Sequence, residues 1–497
     1  MFQKIILDQF ISAVEKFGSD NAFCINEKFY TYSEFAQTVS KIRKALIKFR
    51  SQSANIGLIA NDDIETYASI FALWMEGLAY VPVHPHQPVE RSTEIISQAN
   101  IDLIINSGDK EMFSNLKTIK TKGLKFEGLS LVPKQTDDEA NAYILFTSGS
   151  TGKPKGVPIT RKNLSSFIQS FLSDEFEIDS TDRCLQCFDL TFDVSVQSFL
   201  VPLIKGACTY TIPHDQIKYS YVYGLLEDHK LTFSVMAPSM LRYLRPYFDE
   251  LNVPSMKYCI LTAEASPVDL VEEWSHCIPN AEIFDFYGPT EATIYCTYYK
   301  FKKDATNKHM NGMLSIGKPM KGLTAIILDE NGNQVGLDQK GQLCISGNQL
   351  TPGYWNDPQK TAEAFFEREQ GGSLSRFYKT GDSCYFDADG DILYAGRLDF
   401  QVKIQGYRIE LGEIEYHARQ YLKGQNAAAI PFENKSGNIE ICMFVEGALT
   451  DTAALSDHLK TKLPYYMVPT RIQVNKNFPL NSNGKVDRNV LKSLIGK

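Results

Sequence analysis

Between Tyr143 and Gly156 an apolar run ends in a loop that carries three glycines, Gly149, Gly152 and Gly156. The hydroxyls of Thr147, Ser148, Ser150 and Thr151 and the amines of Lys153 and Lys155 lie among them. Backbone N–H groups and hydroxyls that follow a buried strand can converge on one anion, so the stretch reads as a phosphate-binding loop. It is not a P-loop. Gly152-Lys153 is followed by Pro154 rather than Ser or Thr, and Thr147 stands where that motif needs its first glycine. The dinucleotide pattern G-x-G-x-x-G fails as well. Two other groupings suggest metal. "CLQC" (Cys184, Cys187) has zinc-type spacing without a second ligand pair, so two buried or half-buried thiols are expected there. "HPHQP" (His84, His86) follows the strand-like "AYVPV", and its prolines predict a loop with solvated histidines.

A loop of this kind needs a scaffold to hold it. The chain has 497 residues, more than one core organises, so at least two domains are expected. From Asn55 to Gly381 strand-like runs alternate with helical stretches, among them "NIGLIA", "IDLIIN", "AYILF", "KYCILTA" and "AEIFDFY". That alternation predicts α/β architecture. "SPVDLVEEW" supplies a helix start with Ser266 as N-cap and Pro267 in the first turn. The last hundred residues change character. "GEIEYHARQYL" and "ALSDHLKTKL" read as helices, and "NIEICMFVEG" and "IQVNKNF" as strands, which predicts a small α+β domain. The boundary falls near "GRLDFQVK", giving a large domain over residues 1–398 and a small one over 399–497.

Composition excludes several classes. Formal net charge is −8, which argues against nucleic acid as the main partner, because phosphate backbones need basic surface. No run is long and apolar enough for a membrane span, and the N-terminal "MFQKIILDQFISAVEKF" reads as an amphipathic helix rather than a signal peptide. Ten scattered cysteines without a secretion signal point to a reduced, cytoplasmic setting.

"FTSGSTGKPKG" resembles the phosphate loop of the acyl-adenylate-forming enzymes. These include nonribosomal peptide synthetase adenylation domains, acyl-CoA ligases, luciferases and D-alanine–carrier-protein ligases. Further motifs follow in that family's order: "FYGPTEAT", "GQLCISGNQLTPGYW", "YKTGD", "GRLDFQVKIQGYRIELGEIE" and "NSNGKVDR". The resemblance covers nearly the whole chain. It implies a large N-terminal α/β domain that binds ATP and substrate, and a small mobile C-terminal α+β domain. The implied reaction makes an acyl adenylate from a carboxylate and ATP, and then passes the acyl group to a thiol.

By this resemblance Thr147, Ser148, Gly149, Ser150, Thr151, Gly152 and Lys155 hold the departing phosphates. Glu291 holds Mg²⁺, and Thr290 bonds the α-phosphate. Tyr287 stacks on adenine and Asp285 accepts from its amino group, although many relatives carry Asn there. Asp382 takes the ribose hydroxyls, and Arg397 reaches ribose or phosphate. Lys485 enters the active site and bridges carboxylate and α-phosphate as charge builds. Asp399 matches the hinge about which the small domain turns for thiol transfer.

Asp193, in "FDLTFDVSVQSF", matches the aspartate that binds a substrate ammonium in the amino-acid-activating members; Asp189 is a rival for the role. The implied substrate pocket is Val194, Gln197, Val235, Leu261, Thr262, Ala263, Phe286, Ile294 and Tyr295. Phe286 stands where many relatives have a smaller residue, so a small or medium neutral side chain is expected. The expected enzyme is free-standing and acts on a carrier protein bearing phosphopantetheine. Its length and the "GRLDFQVKIQGYRIELGEIE" stretch are most similar to D-alanine–carrier-protein ligases. Thr262 departs from the cysteine usual there, so an adenylation enzyme for another amino acid stays open. An acyl- or aryl-CoA ligase shares the ATP motifs but generally lacks Asp193.

Overall fold

The computed structural model describes every residue except 50, 150–151, 174–175, 448–450, 481–485 and 496–497. The apolar runs form strands. Asn55–Ile59 and Ala79–Val83 are buried at every position, as parallel strands covered on both faces must be. They pair with each other in a six-stranded sheet of order Lys117–Lys120, Leu103–Asn106, Asn55–Ile59, Ala79–Val83, Asn141–Thr147, Lys155–Thr160. A nine-stranded sheet has the order Lys318–Pro319, Thr297–Lys300, Glu282–Tyr287, Tyr258–Leu261, Phe233–Met236, Arg183–Gln186, Cys208–Thr211, Asn21–Ile25, Lys28–Thr31. Its interior pairs are parallel and its outer pairs antiparallel. A five-stranded antiparallel sheet follows, built from Leu323–Leu328, Gly341–Gly347, Phe365–Gln370, Ser373–Phe386 and Ile392–Arg397. The fold is α/β, with a large N-terminal domain and a smaller C-terminal one.

The chain divides into two compact units. The large one holds Met1–Pro85, Ile96–Leu145 and Gly156–Leu398; the small one holds His86–Ile95, Phe146–Lys155 and Asp399–Lys497. The chain thus leaves the large unit for the last time between Leu398 and Asp399. Two short segments from earlier in the sequence also join the small unit, for reasons that lie in their hydrogen bonds and are given below. The small unit opens with the hairpin Gln401–Ile404/Tyr407–Glu410. Its two-residue turn places Gln405 and Gly406 both at positive φ, the geometry of a type I′ turn. Helices Leu411–Tyr421 and Thr452–Lys462 and the sheet Ala427–Glu433, Ile439–Glu446, Arg471–Asn475 complete the expected α+β pattern.

Local expectations fail in two places. The helix Val268–Cys277 is capped by Pro267, whose carbonyl accepts the Val271 N–H. Ser266 lies one residue too early to cap it, and its hydroxyl donates instead to Asp285. The "HPHQP" histidines are not simply solvated either, because His84 Nε2 lies 2.9 Å from Asp189 Oδ2. The N-terminal amphipathic helix is Asp8–Phe17, preceded by a wider turn over Gln3–Leu7. No described helix is long and apolar enough to cross a membrane.

Candidate active site

Several residues expected around the nucleotide lie on strands of the large unit. Asp382 and Arg397 are register partners on neighbouring strands, which fixes their approach. Arg397 donates to Asp382 Oδ1 at 2.9 Å and to the Thr380 carbonyl at 2.9 Å. Tyr287 donates its hydroxyl to the other Asp382 oxygen. Burial, and then the Asp382 charge, push the Tyr287 phenol well above its ordinary range, so it stays a donor. A carboxylate oriented by one cation and one phenol suits a vicinal diol such as ribose. Asp285, on the same strand as Tyr287, is buried and accepts from Ser266.

After Tyr287 the backbone tightens. A Cβ on Gly288 would lie 2.3 Å from the Ile294 carbonyl oxygen, so only glycine fits. Thr290 and Glu291 follow in a single turn of helix, Thr290–Ala292. The next two residues, Thr293 and Ile294, have φ of 56° and 74°. Left-handed geometry is costly for β-branched residues and persists where surroundings over-determine it, often at functional sites. Gln349 supplies that constraint: it accepts from the Thr293 hydroxyl through its main-chain carbonyl and donates to the Tyr295 carbonyl at 2.8 Å. Ala263, another expected pocket residue, also has positive φ, 69°. Glu291 is fully buried and its Oε1 accepts from Tyr354 at 2.7 Å. Its carboxylate, with the Thr290 hydroxyl beside it in the chain, offers the hard oxygen donors that suit Mg²⁺, a cation commonly held by one or two carboxylates plus substrate phosphates.

The two candidate ammonium ligands behave differently. Asp189 accepts from Thr191 N–H and hydroxyl and pairs with His84. Burial alone would raise its pKa, but the His84 bond and charge, Lys218 and the Thr191 N–H together hold it far below the ordinary carboxylate range. Asp193 is the first residue of the helix Asp193–Lys205, where the helix dipole favours an anion. Burial, and then the Asp193 charge, raise the phenols of Tyr80, Tyr143 and Tyr295. Thr262 faces the same Tyr295 hydroxyl.

Val194, Val235, Phe286, Ile294 and Tyr295 share one apolar cluster. Phe286 stacks on Tyr298 at 5.1 Å and meets Tyr295 at 4.9 Å. Gln197 lies one helical turn beyond Asp193 and is fully buried. Leu261 is the exception. Ile260 faces this cluster, so strand alternation sends Leu261 to the opposite side, where it packs with Met236 and Trp274.

The loop residues lie in the small unit. Ser148 Oγ donates to the Arg408 carbonyl at 2.8 Å and accepts the Glu410 N–H at 3.1 Å. Gly149 N–H donates to Glu413 Oε2 at 3.1 Å, and Arg91 donates to the other Glu413 oxygen. These bonds tie residues 86–95 and 146–155 to the chain after 398. A carboxylate therefore accepts from a loop N–H that is expected to meet phosphate. Thr147 Oγ1 is buried without a protein hydrogen-bond partner, as a hydroxyl reserved for a ligand would be. A Cβ on Gly149 would lie 2.1 Å from the Lys153 carbonyl oxygen, so the loop's tight turn requires glycine there. Gly152, at φ 82°, packs on the Tyr416 ring. Lys155 begins the strand Lys155–Thr160.

Glu413 and Arg91 were not among the sequence candidates; the only signal for Glu413 was its place in "ELGEIE". Ser150, Thr151 and Lys485 lie outside the described residues. Nearby in the chain, Leu480 and Val486 form an isolated bridge. Arg488 anchors the following helix by bonds to Glu415 at 2.5 Å and the Ala429 carbonyl at 2.9 Å. Asp399 caps its own turn, accepting the Gln401 N–H at 3.0 Å. All ten cysteines are buried and reduced, and burial pushes Cys187 up to about 12. Among the described residues the one grouping close enough to share a metal is Cys24, Glu27 and His229, remote in sequence from "CLQC".

Several known proteins resemble this chain. The AMP-binding enzyme family matches residues 10–355. Tyrocidine synthase 2 from Brevibacillus parabrevis is 31% identical over 97% of this chain, although the chain spans only 13% of that protein. The D-alanine–D-alanyl carrier protein ligase of Bacillus licheniformis is 30% identical over 86% of each chain. The Vibrio cholerae adenylation domain AlmE, solved with glycyl-adenosine-5′-phosphate, superposes with a TM-score of 0.86 at 25% identity, over 98% of this chain and 96% of that one. Taken with the nucleotide-side geometry, these likenesses show that the chain belongs to the AMP-binding enzyme family.

Proposed function

We propose that this enzyme activates an amino acid. The substrate carboxylate attacks the α-phosphorus of ATP, the bond to the bridging oxygen breaks, and pyrophosphate leaves. The resulting aminoacyl adenylate then gives its acyl group to the phosphopantetheine thiol of a carrier protein, releasing AMP. The observation that carries this reading is Asp193, a buried carboxylate at a helix N-terminus. A buried carboxylate at a substrate site selects a cationic group.

In this account Asp193 binds the ammonium, and Asp382, oriented by Arg397 and Tyr287, holds the ribose. Tyr287 and Asp285 receive the adenine, and Thr290 bonds the α-phosphate. The loop hydroxyls and N–H groups take the β- and γ-phosphates once Ser148 and Gly149 are released from their present partners. Glu291 would hold Mg²⁺, which would supply charge neutralisation on the phosphates. Lys485 neutralises charge on the reacting carboxylate and phosphate, and Asp399 serves as hinge. The name of the carrier protein ligase supports a carrier-bound product, and the glycyl adenylate in AlmE supports an amino acid.

Hydroxylamine trapping tests the proposal. With ATP, Mg²⁺ and an amino-acid mixture, aminoacyl hydroxamates and AMP are expected in equal amounts. Hydroxamates from fatty or aryl acids alone would refute the amino-acid reading.

A further inference from the structure

Resting on that reading, we propose that the pocket selects a short amino-acid side chain that both donates and accepts hydrogen bonds, a carboxamide or a hydroxyl, and that Gln197 is the group that recognises it. Gln197 is 0% exposed, and neither its Oε1 nor its Nε2 has a hydrogen-bond partner in the protein. A buried carboxamide with both ends unmet costs stability, and an apolar residue of the same size would relieve it. Its retention is explained if the partner arrives with the substrate.

Its position agrees. Asp193 and Gln197 are four residues apart on one helix, so they share a face and are separated by about 6 Å along the axis. A substrate gripped by its ammonium at Asp193 therefore extends its side chain toward Gln197. A carboxamide answers Gln197 reciprocally, one N–H to Oε1 and one oxygen to Nε2. A hydroxyl answers it with one donor and one acceptor. Two tyrosines of the apolar cluster that holds Val194 and Val196 add hydroxyls to it. The Tyr80 and Tyr143 hydroxyls are buried and also lack protein hydrogen-bond partners, and both phenols, like that of Tyr295, sense Asp193. Phe286 and Tyr295 pack in contact, which limits depth and favours a short side chain.

The experiment compares kcat/KM in amino-acid-dependent ATP–pyrophosphate exchange for shape-matched pairs, Asn against Leu and Thr against Val, in both stereochemical forms. The wild-type enzyme is expected to prefer one polar member over its apolar partner by at least about 10³-fold, because a site built to hydrogen-bond rejects the analogue that cannot. Gln197→Met, nearly isosteric, should cut that preference to about tenfold or less, leave the KM for ATP unchanged, and raise the melting temperature, since an unmet amide is removed. Equal or better use of the apolar members by the wild type, or an unchanged ratio in Gln197→Met, would overturn the proposal. Exchange with apolar amino acids only would refute this inference and leave the amino-acid reading standing; exchange with no amino acid would refute both.

Discussion

Replacing Asp193 by Asn removes one charge with almost no change of shape. A unit charge pair about 4 Å apart gains about 4 kcal/mol at the effective dielectric of about 20 found near protein surfaces. Asp193 is 7% exposed, so screening by water is weak. The helix N-terminus that stabilises the carboxylate, by about 0.3–1 kcal/mol, also offsets part of its pull on a cation. Losing one partner of a buried charge pair costs about 2–5 kcal/mol. A middle value of about 3 kcal/mol corresponds to about a 10²-fold fall in kcat/KM for the amino acid. The assay is ATP–pyrophosphate exchange with amino acid and ATP varied separately. The loss should fall on the amino acid and spare the KM for ATP. Asp189→Asn is the control. It unpairs His84 and should lower the melting temperature while keeping amino-acid recognition. Near-normal exchange by Asp193→Asn, or the specificity loss appearing in Asp189→Asn instead, would refute the assignment.

Three further results are expected. Lys485→Ala should lose adenylate formation by at least about 10²-fold, the cost of removing one key transition-state donor, while ATP still binds by calorimetry. Asp399→Pro should leave pyrophosphate exchange largely intact and abolish loading of a phosphopantetheine carrier, measured by intact-protein mass. Asp62 supplies a pH test. Burial, partly countered by the Tyr67 hydroxyl, raises its pKa to about 7. The native state therefore holds a proton that the unfolded chain has lost, and this contribution to stability is full below about pH 4 and disappears as pH rises through about 7. Asp62→Asn should then show a melting temperature that gains on the wild type from pH 4 to pH 8; a constant difference would contradict the raised pKa.

Much of the scaffold was legible because it is local. Buried parallel strands such as "NIGLI" announce themselves as continuous apolar runs, and the glycine loop and "YKTGD" carry their chemistry in adjacent residues. What stayed hidden depends on distant partners or on register. His84 and Asp189 are far apart in sequence, so nothing near "HPHQP" shows an ion pair. The bond from Gly149 to Glu413 spans even more chain, and it is what draws the loop into the small unit. Leu261 packs in a different cluster from Val235 and Phe286, a difference that turns on a single step of strand alternation. Thr293 and Ile294 have no sequence cue for left-handed backbone, since β-branched residues ordinarily avoid it. Ser266 shows how a nearby proline displaces a cap, leaving its hydroxyl for Asp285. Gln197 was placed in the pocket from the resemblance, but its unmet amide is visible only once the packing around it is known.

The most direct measurement is ATP–pyrophosphate exchange on the purified chain with Mg²⁺, run against separate panels of D-amino acids, L-amino acids, fatty acids and aryl acids. The expected result is exchange with one or a few amino acids, lost on deamination of the substrate to the matching carboxylic acid. Exchange supported by fatty or aryl acids and indifferent to the amino group would contradict the account.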